Sequence, residues 1–283
     1  MSVVARLGAF GVVLALVFAA AAFAGSRIDA HPGRQAGQQG AEPAMGGMRT
    51  GARMAAQAVR GLAVSDDGLT LRLARTAATP GRPFQLAFGI VDRRGQTVRD
   101  FDVEHTRRMH FIVVRRDMTG FQHLHPTEAA DGTWSVPVTL RDAGTYRVFA
   151  DFSVGGRPHT LADDVTADGT VRSRALPAPV RGLDVDNLHV SLTEGASRAG
   201  AESRLAFDVT RDGKPIAVED YLGAKGHLVA LRQGDLAFLH VHPDESSLRF
   251  MAEFPTAGRY RLFLQFKTEG RVHTAAFTQE VSR

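Results

Sequence analysis

From about residue 59 to the C-terminus, short runs of alternating apolar and polar residues recur, each closed by Gly, Pro or an Asp-Gly pair. LTLRLA from Leu69, FQLAFGIV from Phe84, HFIVV from His110, TWSVPVTL from Thr133 and YRVFADF from Tyr146 are rich in β-branched and aromatic residues. A two-residue period in such segments predicts strands. Asp131-Gly132 and Asp212-Gly213 read as turns between them. No segment in this region carries the 3.6-residue period of an amphipathic helix.

The pattern occurs twice. MHFIVVRRDMTGFQHLHP from Met109 returns as GHLVALRQGDLAFLHVHP from Gly226, and AGTYRVFADF from Ala143 returns as AGRYRLFLQF from Ala257. Arg60-Gly61-Leu62 returns as Arg181-Gly182-Leu183, and the GRPHT that starts at Gly156 returns as the GRVHT that ends at Thr274. The order is conserved between the copies, and each unit is far longer than a solenoid repeat. The expectation is all-β: two tandem immunoglobulin-like β-sandwich domains, residues 59–171 and 180–283. Residues 172–179, with Pro177 and Pro179, form a short stiff linker. Tyr146 and Tyr260, each in A-G-x-Y ahead of a strand, are candidates for a sandwich corner, and Trp134 for the core.

The N-terminus has a different pattern. Arg6 precedes an unbroken apolar run from Leu7 to Gly25, which predicts an N-terminal hydrophobic helix over residues 1–25 acting in export. Two readings stand. Ala22-Phe23-Ala24 is an A-x-A site for cleavage after Ala24, and the run is also close to the ~20 residues that span a bilayer. Either way the remainder is expected outside the cytoplasmic membrane, anchored to its outer face or released. Residues 26–58 are dominated by Gly, Ala, Gln and Pro and read as a flexible linker. Met45, Met48 and Met54 within it are read as incidental.

Composition narrows the chemistry. The chain has no Cys, which removes disulfides, thiolate ligands and Cys nucleophiles. The net charge of +4 is spread along the sequence without interleaved aromatics, which argues against a nucleic-acid partner. No G-x-S-x-G or phosphate-binding loop occurs, and no acid/base pair is repeated in both copies, so no enzymatic activity is expected.

The chemistry that remains lies in the histidines. Eight of the eleven fall into two matching sets: His110, His123, His125 and His159, then His227, His240, His242 and His273. HFIVV and FQHLH flank the turn RRDMTG. A symmetric hairpin would set His110 directly across from His123, with His125 on the same face. The same construction groups His227, His240 and His242, while His159 and His273 are candidate fourth ligands. Convergent imidazoles suit Cu(II), Zn or Ni. Ile112, Phe121, Val229 and Phe238 share the histidine faces, so structural histidines in an apolar setting are the competing reading.

His105 has no counterpart in the second copy, where Leu222 stands, and His31 and His189 are unmatched. Asp102 and Glu219, each eight residues before the first His of its set, read as surface acids or as groups orienting a ligand His. Met109 and Met118 lie near the first set only.

The FQHLHP and FLHVHP segments, together with GTYRVFADF and GRYRLFLQF, resemble a family of largely uncharacterised exported bacterial proteins frequent in actinobacteria. The resemblance covers nearly everything after residue 59, and its specific motif is F-x-H-x-H-P, here Phe121 to Pro126 and Phe238 to Pro243. It implies membrane-proximal sandwiches suspected of heavy-metal handling. More distantly, each domain is similar to extracytoplasmic copper-resistance sandwiches of the CopC and YtkA-like kind. It lacks the His that the former type carries at the mature N-terminus.

Together these features lead to an expected extracytoplasmic metal-binding protein for buffering, resistance or delivery. It would carry one His-rich site per domain, with copper(II) favoured over zinc. The alternative is a non-enzymatic structural or protein-interaction module. Expected partners are the metal ion, the membrane if the N-terminal segment is retained, and a membrane or exported protein.

Overall fold

The computed structural model describes residues 59–239 and 241–283, with His242 described in its backbone only. The N-terminal hydrophobic segment, the linker before residue 59 and His240 lie outside the described residues. Among the described residues no helix occurs.

The first copy contains β1 (Ser65–Asp66), β2 (Leu69–Leu73), β3 (Ala77–Ala78), β4 (Pro83–Val91), β5 (His110–Arg115), β6 (Gln122–Leu124), β7 (Thr127–Glu128), β8 (Trp134–Thr139), β9 (Gly144–Val154) and β10 (Arg157–Ala167). The second contains β11 (Gly182–Val185), β12 (Leu188–Glu194), β13 (Glu202–Arg211), β14 (Lys214–Pro215), β15 (Gly226–Arg232), β16 (Phe238–Leu239), β17 (Val241–Pro243), β18 (Arg249–Glu253), β19 (Gly258–Thr268) and β20 (Arg271–Val281). In the first copy the sheets run β1-β2-β4-β8-β7 and β3-β10-β9-β5-β6. In the second they run β11-β12-β13-β18-β17 and β16-β15-β19-β20. Neighbours are antiparallel except β3 beside β10. Two immunoglobulin-like β-sandwiches result, one from each copy.

Within each sandwich the inner faces of the two sheets meet. Phe111, Val113, Val148, Ala150 and Phe152 pack against Leu86, Phe88 and Trp134 in the first. Leu228, Ala230, Leu262, Leu264 and Phe266 pack against Leu205, Phe207 and Phe250 in the second. The tyrosine corners form as the A-G-x-Y pattern predicts. Tyr146 O–H donates to the Asp142 carbonyl at 2.9 Å, and Tyr260 O–H to the Thr256 carbonyl at 2.9 Å.

All six residues of β5 are buried, although a sheet with one wet face would bury every second one. The outer face of β5 and β9 is covered by the outer face of β15 and β19. Ile112, Val114, Met118, Phe149 and Ala162 form one cluster with Val229, Leu231, Leu236, Phe238 and Phe263. Both sandwiches lie within one compact unit, and this seam is a third apolar layer. Burying a large apolar side chain contributes roughly 1.5–3 kcal/mol, so the nine larger residues of this cluster hold the copies firmly together.

The seam is nearly symmetric. Phe121 stacks on Phe263 with centroids 4.0 Å apart, and Phe149 meets Phe238 at 5.5 Å. Exchanging the copies converts one pair into the other. The symmetry is broken by the chain entering the first sandwich, where Phe238 N–H donates to the Arg60 carbonyl at 2.9 Å. The inter-copy linker runs along the seam: Leu176 packs against the cluster and Arg259 donates to the Pro177 carbonyl at 2.5 Å.

Candidate functional site

The motif F-x-H-x-H-P sits where the chain leaves one sheet for the other. β6 pairs with β5, and β7, two residues past His125, pairs with β8. The hairpin register differs by two residues from the symmetric one. Ile112 faces His123, and Phe111 faces Leu124. The turn is lopsided because Arg115 N–H donates to the Thr119 carbonyl, while Met118 and Gly120 adopt φ of 65° and 64°. A shift of two keeps every side chain on its face. His123 therefore still joins His110, now on a diagonal, and β15 and β16 show the same shift with Ala230 facing Leu239.

His110, His123 and His125 each offer a ring nitrogen, and these three atoms lie within 4.8 Å of one another. Their ring centroids are 5.2 Å (His110–His123), 5.1 Å (His110–His125) and 4.9 Å (His123–His125) apart. Across the seam, His227 brings its ring to 6.4 Å from His110 and 6.2 Å from His123. His105, on the loop before β5, lies 5.4 Å from His227 and 6.3 Å from His110. A cavity of about 60 Å³ opens among His105, His110, His123, Asp151 and His227, with Ile112, Val229 and Phe238 as its apolar wall.

Hydrogen bonds fix the tautomers. His110 Nε2 lies 3.2 Å from the Glu104 carbonyl oxygen, and His123 Nδ1 lies 2.7 Å from Gln265 Oε1. Gln265 is oriented in turn by its amide donating to Thr274 Oγ1 at 3.2 Å. A carbonyl oxygen only accepts, so these two bonds form in the tautomers that place the proton on His110 Nε2 and His123 Nδ1. The remaining nitrogens, His110 Nδ1 and His123 Nε2, then face each other as two lone pairs 3.0 Å apart. His227 Nε2 likewise donates to the Tyr221 carbonyl at 2.8 Å, which leaves its Nδ1 unprotonated. His125 Nε2 is buried and has no hydrogen-bond partner among the described residues.

Burial keeps these rings neutral. It pushes His110 and His123 down to about 3 and His125 to about 4, with neighbouring imidazoles and Arg107 adding to the effect. His227 is lowered for the same leading reason. Asp151 lies opposite His110 on β9 and donates nothing; its carboxylate accepts from Thr160 Oγ1 at 2.6 Å, and burial raises it to about 6.

His159 and His273 are elsewhere. Each pairs in register with an inward-facing phenylalanine, Phe152 or Phe266, and stacks on it at 5.6 Å and 5.4 Å. Strand alternation thus turns both rings away from the seam. His273 is held by Asp186 at 2.7 Å and Thr268 at 3.1 Å, a clasp between the β11–β12 and β19–β20 hairpins. Asp102 and Glu219 accept the backbone N–H of Gly156 and Gly270 at 2.7 and 2.8 Å, pinning hairpin tips and not orienting a histidine. Met109 is in the first core and Met118 in the seam. His189 pairs with Asp184 at the surface.

The first set thus gathers a residue of the second copy, where one self-contained site per sandwich was expected. His240 and the side chain of His242 lie outside the described residues. His105, Gln265 and Asp151 were not read as site residues from the sequence. Their signal was faint: Asp151 and Gln265 occupy the same position of the repeated A-G-x-Y-R-x-F-x-x-F segment, both polar within an apolar run.

Both sandwiches match the family described as Domain of unknown function (DUF8832), at residues 63–169 and 183–283. No curated protein matches the chain by sequence. Similar solved structures include the Escherichia coli adhesin FdeC, at 15% identity and a TM-score of 0.28 over 78% of this chain and 66% of that one. Salmonella alpha-2-macroglobulin matches at 14% identity and 0.29 over 80% and 15%. A titin A168169 structure matches at 12% and 0.20 over 75% and 96%. The chain spans 66% and 15% of the first two structures. At these identities the likeness concerns fold alone.

Proposed function

The chain belongs to the DUF8832 family, and we propose that it is an extracytoplasmic metal-binding protein that takes Cu(II) or Zn at the seam between its sandwiches. The observation that carries this reading is the pair His110 Nδ1 and His123 Nε2, 3.0 Å apart. With both outer nitrogens donating to carbonyl oxygens, two lone pairs confront each other in a buried place, and a cation between them removes the repulsion. Rings held neutral at physiological pH need lose no proton to bind it.

The triad has the spacing a small divalent ion requires. Metal–nitrogen bonds of ~2.0–2.1 Å put tetrahedral imidazole centroids roughly 5 Å apart, against 4.9–5.2 Å here. His110, His123 and His125 are the assigned ligands, with the Glu104 carbonyl and Gln265 fixing two of them from behind. An all-nitrogen donor set without Cys favours Cu(II), then Zn. The protein acts in buffering, resistance or delivery on the outer face of the cytoplasmic membrane, anchored or released, and without enzymatic activity.

A ligand that binds only the folded state raises its stability by about 2.7 kcal/mol at a hundred times its Kd. Thermal unfolding with Cu(II) or Zn should therefore shift upward, and His110→Ala/His123→Ala should abolish the shift. An unchanged melting curve in the wild type would refute metal binding.

A second reading is favoured by the seam itself. The His123–Gln265 bond also ties the copies together without an ion, while the bonds of His110 to Glu104 and His227 to Tyr221 hold each ring within its own copy. In that case the tandem is a rigid protein-interaction module, and histidine substitutions lower stability with no change in metal affinity.

A further inference from the structure

Resting on the metal-binding reading above, we infer that His227 is the fourth ligand, so that one centre is built from both sandwiches and exists only while they are docked. His227 lies on β15, the strand equivalent to β5, and faces His110 and His123 across the seam. Its Nε2–H is committed to the Tyr221 carbonyl, as His110 Nε2–H is to the Glu104 carbonyl. The free Nδ1 of each ring is therefore selected by the same backbone device in both copies. Its centroid is 6.2 Å from His123, about 1 Å beyond the spacing inside the triad, and a side-chain rotation on ion binding closes that distance.

His105 is the rival ligand. It is 5.4 Å from His227 and 6.3 Å from His110, but it stands on a loop residue with φ of 47°. A three-histidine site inside the first sandwich would not couple metal binding to the docking of the copies. A His227 ligand makes metal occupancy and docking of the sandwiches one equilibrium, since an ion holding residues of both stabilises the docked state by its binding free energy.

The test loads the full chain with Cu(II) and counts coordinated imidazoles by pulsed electron paramagnetic resonance. The wild type should show four, and His227→Ala three, with affinity 10- to 100-fold lower. His189→Ala, outside the site, should match the wild type. An unchanged count and affinity in His227→Ala would overturn the inference, as would a loss seen in His105→Ala instead. Should His227→Ala not fold, nitrogen resonances of the Zn-loaded wild type decide: His227 Nδ1 must move to a metal-bound position, and an unmoved signal is equally fatal. A wild type that takes up neither ion removes the metal-binding reading and this inference together, whereas four imidazoles without His227 remove this inference alone.

Discussion

Phe121 lies flat on Phe263, centroids 4.0 Å apart and planes 6° from parallel, so the first residue of the histidine motif in one sandwich is held by the hairpin of the other. Its counterpart across the seam, Phe238 against Phe149, is the more deeply buried, with Phe238 only 7% exposed. Phe238→Ala should therefore cost about 3–5 kcal/mol, and Phe121→Ala less because that ring is half-buried. Denaturant midpoints for the two variants check the order. Equal or reversed losses would show that the seam does not carry the stability assigned to it.

Gly61 is a second fixed point of the seam. It has φ of +69°, and a Cβ there would lie 2.8 Å from the Phe149 ring and from Phe238 Cβ. Gly61→Ala combines left-handed backbone strain with overpacking, each of which typically costs about 1–3 kcal/mol. A loss below 1 kcal/mol in chemical denaturation would mean that the entering chain is not clamped between the sandwiches. Gly81→Ala, with open space around it, separates the steric part from the backbone part.

Stability should depend on pH through the histidines. Folded His110 and His123 titrate near 3 and His125 near 4, against 6.5 for an ordinary histidine. Between pH 6.5 and about 3 the unfolded chain holds protons that the folded one refuses, so stability is complete above 6.5 and falls with falling pH. Asp151 acts oppositely: raised from 3.8 to about 6, its contribution is lost as pH rises through 6. Three shifted histidines outweigh one carboxylate. Unfolding free energy at pH 4.5 should be lower than at pH 7.5, and His110→Ala/His123→Ala should flatten the difference. A rise in stability on acidification would contradict the neutral-ring assignment.

His273 separates structure from binding. Its bonds to Asp186 and Thr268 join two hairpins, and removing a buried partner costs about 1–3 kcal/mol. His273→Ala should lower the melting temperature and leave metal stoichiometry unchanged. A lost metal equivalent would place His273 in a site.

Much of the fold is written in local pattern. The duplication, the strand period, the A-G-x-Y corners and the shared face of His110, His123 and His125 are all readable because each depends on residues near one another in sequence. The hairpin register is not, because it is set by the left-handed turn at Met118 and Gly120. The roles of His159 and His273 also escape: their distance from the tyrosine is repeated faithfully, but only the ladder shows that each opposes an inward phenylalanine. The seam left a trace in the apolar run HFIVV, whose two buried faces require two partners, and what covered the second face was legible only in three dimensions. His227 entered the site from that face.

The imidazoles at the seam are proposed to hold a divalent ion. Calorimetric titration of the chain with Cu(II) and Zn, repeated on His110→Ala/His123→Ala, tests it most directly. The wild type should take up one ion tightly at the seam, and the double variant should lose that equivalent. Identical stoichiometry in both, or no uptake by the wild type, would contradict it and leave the histidines as structural ties between two sandwiches.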